Sequence, residues 1–298
     1  RDDNPTTKKP VLTIAIIVEA FSFRTAIVES RHVKGKESWW QFIRRSKSPE
    51  LPVVLLDDLA VEGWTFPDPQ SNVVTRPDAE DMVAELATYH GALWDSPRFA
   101  GDLAGLKPAR RWQDDLDRRA GFESRTLRGF DRAAEVLSAE MRGRRAELYP
   151  AFHRALDLHA KAPQTLLHQD LHLGNWLRDP EGRMGLYDWQ CVARGHWALD
   201  YSYALAGALR PEDRREWEED LLRLYLARLT DHGAAAPSYD DAWLAYRQQP
   251  MHAFAFGLFT LGGTRFEPEL QPRDYTLAAI ARIATFLDDH GTLDALAG

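Results

Sequence analysis

The sequence predicts an α+β chain of two unequal lobes, a small β-rich one over residues 1–62 and a large helical one over residues 63–298. Three observations predict it. Apolar, β-branched runs punctuate the first 62 positions, a stretch rich in Pro, Asp, Asn and Ser follows, and beyond residue 77 apolar residues recur at helical spacing. With 298 residues the chain can bury a large core without a metal clip or a disulfide.

In the first lobe the expected strands are Val11 to Val18, Phe23 to Val33 and Leu51 to Leu56, and Asp57-Asp58-Leu59-Ala60 ends the last of them. Between Gly63 and Arg76, Pro67 and Pro69 among polar residues predict a loop. Met82, Val83, Leu86, Leu93 and Trp94 then give one face of a helix that has Pro77 in its first turn. A second helix is expected from about Asp131 towards Arg142, stopping near Gly143. A third starts at Pro211, with Glu212 and Asp213 at its positive end, Leu221, Leu222, Tyr225 and Leu229 as its buried stripe, and Gly233 as its stop. The acidic residues Glu212, Asp213, Glu216, Glu218, Glu219 and Asp220 read as the solvated face of that helix. Ser238 with Asp241 makes a capping box for a fourth helix, which Pro250 should kink or end, and Tyr275 to Leu287 reads as a fifth.

Chemistry concentrates between Thr165 and Tyr203. Trp176-Leu177 and Met184 to Tyr187 flank Asp179-Pro180-Glu181-Gly182, whose turn chemistry predicts a β-hairpin. Such a hairpin brings Asn175, at the entry of one strand, beside Asp188, at the exit of the other, and Asp170 lies in the loop leading in. An amide oxygen and a carboxylate, with no thiolate, suit a hard cation such as Mg²⁺ that takes its remaining ligands from water and phosphates. Asp170 is then free to accept a proton from an attacking hydroxyl. A zinc or iron site on His168, Asp170 and His172 is the competing reading of the same loop, but no clear fourth ligand accompanies it.

The run His168-Gln169-Asp170-Leu171-His172-Leu173-Gly174-Asn175 resembles the catalytic loop of aminoglycoside phosphotransferases and choline-kinase-like enzymes, relatives of the protein kinases, and is also similar to that of ecdysteroid kinase-like proteins. Asp188-Trp189-Gln190 resembles the metal-binding triplet that follows, and Asp200 resembles the aspartate that braces the loop. The resemblance implies a protein-kinase-like two-lobed fold that moves the γ-phosphoryl group of ATP, with Mg²⁺, to a hydroxyl of a small molecule. It implies Asp170 as catalytic base, Asn175 and Asp188 as metal ligands, and His168 and Asp200 as structural support, with His168 hydrogen-bonding backbone under the loop. Leu51 to Leu59 is similar to the family's hinge strand, so Leu56, Asp57, Asp58 and Leu59 are expected to seat the adenine through backbone groups. Helices of the C-terminal part build the acceptor pocket in this family. Trp243, Tyr246, Phe254, Phe256 and Phe259 fall there, and each equally fits an ordinary helical core.

Two departures stand out. Gln169 occupies a position where the family usually has Gly, and its side chain is expected to point to solvent. Gly35 is the only glycine before Gly63, and Lys34 and Lys36 flank it in a polar turn, so no glycine-rich loop or nucleotide lysine is readable and the N-lobe is expected to be truncated or atypical. A catalytically degenerate kinase-like binding protein is therefore the alternative function.

Composition narrows the partners. With 45 acidic against 37 basic residues, a nucleic-acid surface is not expected. The apolar run at Val11 to Val18 is far shorter than the roughly 20 residues of a membrane span. Cys191, the only cysteine, excludes an internal disulfide, is expected to be a small buried filler, and suits a reducing, cytoplasmic setting. Nothing in the sequence bears on oligomeric state.

Overall fold

The computed structural model describes residues 63–67, 74–267 and 270–297, and the expected strands, hinge and lysines before residue 63 lie outside them. Helix α1 (Arg76–Ala92) begins on a reciprocal capping box between Thr75 and Asp78 with Pro77 in its first turn. Met82, Val83 and Leu86 face inward as their spacing predicts, but Leu93 is the C-cap and Trp94 lies beyond the helix. Asp78 also accepts two hydrogen bonds from Arg178, at 3.0 and 2.8 Å, which ties the start of α1 to the hairpin.

Four helices follow: α2 (Ala109–Ala120), α3 (Phe122–Arg132), the short α4 (Ala139–Gly143) and α5 (Leu148–Leu158). The single helix expected over 131–142 is thus replaced by the end of α3, a 3₁₀ turn at Ala134–Val136 and α4. Ser138 is the reason for the break. Its backbone is extended (φ -60°, ψ 158°) and its hydroxyl accepts the Met141 N–H, so it starts a helix rather than continuing one. Gly129 inside α3 works against helix propensity, yet a Cβ there would lie 1.8 Å from the Leu258 carbonyl oxygen. Only glycine lets α3 approach the later helix α9 (Met251–Leu261) so closely.

Two small antiparallel sheets sit on this helical body. Strand β1 (Thr165–Leu167) pairs with β4 (Ala193–Gly195), and β2 (Trp176–Arg178) pairs with β3 (Met184–Leu186) in the register Trp176 to Leu186. The predicted hairpin therefore forms. The segment expected to be loop also contributes: Thr65 exchanges backbone hydrogen bonds with Arg178 at 3.0 and 2.7 Å and extends the β2 edge.

Helix α6 (Ala198–Ala208) is buried along its whole length and forms the centre of the core with Trp176, Trp197 and Tyr225 around it. Helix α7 (Pro211–Asp231) buries Leu221, Leu222, Tyr225 and Leu229, and Gly233 follows at φ 81°. Ser238 caps α8 (Tyr239–Gln248), and Pro250 ends that run by becoming the N-cap of α9. Helices α10 (Arg273–His290) and α11 (Thr292–Ala295) close the described chain.

The acidic face of α7 needs one correction. Glu212, Glu216, Glu219 and Asp220 are exposed, but Glu218 is buried and accepts from Arg214 at 2.6 Å and from the Tyr246 hydroxyl at 3.0 Å. Its position is three, four and seven residues before Leu221, Leu222 and Tyr225, on the buried stripe itself. Among the described residues no helix is long and apolar enough to cross a membrane.

Candidate active site

Asp170 follows two buried residues whose ring and amide nitrogens are held by hydrogen bonds. His168 is fully buried; its Nε2 donates to the Tyr187 carbonyl at 2.9 Å, and its Nδ1 accepts the Asp170 N–H at 3.3 Å. With both ring nitrogens engaged, His168 has none left for a metal, which removes the zinc or iron arrangement. Gln169 lies in the left-handed region at φ 65° and is completely buried. The expectation that its side chain points to solvent is therefore overturned. Its Nε2 donates to the Cys191 carbonyl at 2.7 Å, and its own carbonyl accepts from His252 Nε2 at 2.9 Å. Cys191 itself is half-buried, and burial pushes its thiol well up.

Asp200 stands in the first turn of α6 with no exposure. Its carboxylate turns back to the loop and accepts the N–H groups of His168 at 2.6 Å and Gln169 at 2.9 Å, with the Tyr89 hydroxyl at 2.7 Å. Burial alone would raise this carboxyl; His90, 3.6 Å away, and the donors around it outweigh that and hold it below its ordinary 3.8. Burial drives His90 the other way, towards the neutral form.

The hairpin carries the remaining pair. Tyr187 N–H donates to the Asn175 carbonyl at 3.1 Å, one step beyond the last rung of β2 and β3, and so sets Asp188 next to Asn175. The Asn175 side chain is buried, and its amide N–H donates to the Asp170 carbonyl at 2.7 Å. Asp188 is exposed, in the left-handed conformation (φ 63°, ψ 61°), and its carboxyl is raised, first by the protein mass around it and then by the charge of Asp170. The carboxylates of Asp170 and Asp188, which repel each other, and the amide of Asn175 are oxygen donors whose chemistry suits a hard divalent cation. Among the described residues the compact His and Asp grouping is instead Asp114, Asp117 and His153 on α2 and α5. Arg110 already occupies it, bonded to His153 and 3.4 Å from Asp114.

Asp170 opens into a cleft of about 570 Å³, counted with the solvent at its mouth. Its walls include Phe256 on α9, Tyr203 on α6, and Tyr275 and Arg282 on α10. His172 Nε2 lies 3.8 Å from the Asp170 carboxylate, while its Nδ1 meets the Tyr275 hydroxyl at 2.9 Å. Burial raises the Tyr275 phenol to about 12 and the Tyr203 phenol well beyond its usual value, so both stay neutral, and the Tyr275 hydroxyl also accepts the Gly174 N–H at 3.1 Å. Arg282 donates to the last carbonyls of α6, Gly207 and Ala208, at 3.3 Å each. Of the aromatic stretch, Phe256 alone reaches this cleft; Tyr246 and Phe254 are fully buried core, and Phe259 stacks on Phe122. Tyr203, His252, Tyr275 and Arg282 carry no local motif, and their place at the site comes only from tertiary packing.

Among solved structures, choline kinase LicA from Streptococcus pneumoniae is similar at a TM-score of 0.44 and 17% identity, over 77% of this chain and 68% of that one. LicA in complex with AMP is similar at the same TM-score and identity, over 77% and 67%. No curated protein matches the chain. Residues 50–238, well over half of the sequence, match the phosphotransferase enzyme family, and the described residues form a helical body with short antiparallel strands. The chain belongs to the phosphotransferase enzyme family.

Proposed function

We propose that this phosphotransferase moves the γ-phosphoryl group of ATP to a hydroxyl of a small molecule seated in the cleft beside Asp170. One observation supports the reading most. Asp170 lines the cleft while its own backbone carbonyl holds Asn175, so proton acceptor and candidate metal ligand are built on one rigid loop. The acceptor oxygen would form a bond to the γ-phosphorus as the bond from that phosphorus to the β–γ bridging oxygen breaks. The electron pair leaves on ADP, and the hydroxyl proton passes to a carboxylate oxygen of Asp170. Bound Mg²⁺ supplies positive charge against the phosphates, and Asn175 and Asp188 would hold it. His168 and Asp200 would keep the loop in shape without touching substrate.

Leu56, Asp57, Asp58 and Leu59 would seat the adenine through backbone groups, at the end of an N-lobe formed by residues 1–62, with residues 63–298 as the C-lobe. The cleft suits an acceptor with an apolar body, for Phe256 and Ile283, and hydrogen-bonding edges, for Tyr203 and Tyr275. A cytoplasmic setting, where ATP is abundant, goes with this chemistry. The test is phosphate transfer from γ-labelled ATP to a panel of hydroxylated small molecules by wild type, Asp170→Ala and Asp188→Ala. Transfer by wild type with loss in both variants supports the assignment. Equal background in all three favours the binding-protein alternative, to which the lack of a readable glycine-rich loop before Gly63 lends weight.

A further inference from the structure

Gln169 is a costly residue for its place. A left-handed backbone at φ 65° favours glycine, and the fully buried side chain leaves its Oε1 without a partner among the described residues. Glycine would remove both penalties and keep the backbone bonds to Asp200 and His252. What glycine cannot supply is the 2.7 Å hydrogen bond from Nε2 to the Cys191 carbonyl.

That bond has a partner on the other side of Asp188. His168 Nε2 holds the carbonyl of Tyr187, the residue before Asp188, at 2.9 Å, and Gln169 Nε2 holds the carbonyl of Cys191, three residues after it. Consecutive residues of the loop thus grip the chain on both sides of Asp188. Asp188 itself is exposed and left-handed, and its side chain is held locally by Gln190, through the backbone and a long 3.4 Å side-chain contact. Besides the Tyr187 N–H bond to Asn175 and the 3₁₀ turn Trp189–Cys191, these two flanking bonds are what tie it to the loop.

We propose that Gln169 is a positioning residue: it straps the Asp188–Cys191 turn to the loop that carries Asp170 and so fixes the spacing of the two carboxylates across which phosphate and metal would lie. This rests on the roles given above to Asp170 and Asp188. Gln169 touches neither substrate nor metal and acts through the Cys191 carbonyl.

The variant Gln169→Gly relieves the backbone and deletes the strap. Hydrogen exchange of residues 187–192 in the free protein should quicken about tenfold, the factor one net hydrogen bond represents, while the melting temperature stays level or rises. In phosphate transfer, the Mg²⁺ concentration for half-maximal rate should rise by a similar factor. Gln169→Met, which keeps the length but has no donor, should quicken exchange at 187–192 and raise the Mg²⁺ requirement as Gly does. Unchanged exchange at 187–192 overturns the strap. Faster exchange with unchanged Mg²⁺ dependence reduces it to a structural bond and overturns the positioning role. A wild-type protein that transfers no phosphate to any acceptor while exchange still quickens in Gln169→Gly defeats the reading of Asp170 and Asp188 instead, and the positioning role falls with it.

Discussion

The side-chain amide of Asn175 donates to the backbone carbonyl of Asp170 at 2.7 Å. The bond joins the candidate metal ligand to the candidate base across a five-residue loop, and both ends are fixed further, Asn175 by Tyr187 and the Asp170 N–H by His168. Asn175→Ala removes the donor of that part-buried carbonyl and should cost about 1 kcal/mol of stability, read as a lowered urea midpoint. Loss of phosphate transfer should exceed anything that partial unfolding explains. Full activity in the folded variant would contradict the assignment.

Asp200 should be the most sensitive single carboxylate for folding. Asp200→Ala leaves the His168 and Gln169 N–H groups and the Tyr89 hydroxyl without their acceptor, at a cost of about 3 kcal/mol or more. Because its folded carboxyl is held below 3.8, its contribution is present above that value and is lost only as pH falls below it. Urea unfolding of the variant at pH 7 checks the first statement, and an unchanged midpoint would refute it.

His252 should govern stability in a different window. Burial lowers this imidazole from 6.5 to about 4, so between those values the unfolded chain binds a proton that the folded one does not. Stability is therefore full above 6.5 and declines as pH falls towards 4, by an amount on the order of 3 kcal/mol. Burial shifts His196 and His159 in the same direction. Unfolding free energies at pH 7 and pH 5 should show the decline in wild type and less of it in His252→Gln, which retains a donor for the Gln169 carbonyl. Identical slopes in the two proteins would exclude His252 as the cause.

Filling the cleft should separate acceptor from nucleotide. Ala279 lines it on α10, and Ala279→Phe should raise the acceptor KM by roughly tenfold or more, as loss of a fitted pocket contact does. The stabilisation by ATP and Mg²⁺ should be untouched. An unaltered KM would place the acceptor elsewhere.

How far the sequence reveals this arrangement depends on whether the signal is local. The hairpin, Pro77 in the first turn of α1, the cap at Ser238 and the stop at Gly233 are legible because turn and cap chemistry acts over a few residues. So is the run from His168 to Asn175. Helices α2, α3 and α5 escape because residues such as Gly129 answer to a contact with Leu258, far along the chain, and override local preference. Glu218 looks solvated by composition and is buried because Arg214, Tyr246 and His290 reach it. Gln169 misleads for the same reason, since a polar side chain at a glycine position suggests solvent until the Cys191 carbonyl is found beside it.

The account depends on Asn175 and Asp188 holding a divalent ion with its nucleotide, and thermal unfolding with ATP and Mg²⁺ tests this most directly. At a nucleotide concentration of about 100 times Kd the folded state gains about 2.7 kcal/mol, so wild type should melt several degrees higher. Asp188→Asn and Asn175→Ala, each compared with its own ligand-free value, should lose most of that gain. An equal rise in all three proteins, or none in wild type, would contradict the account.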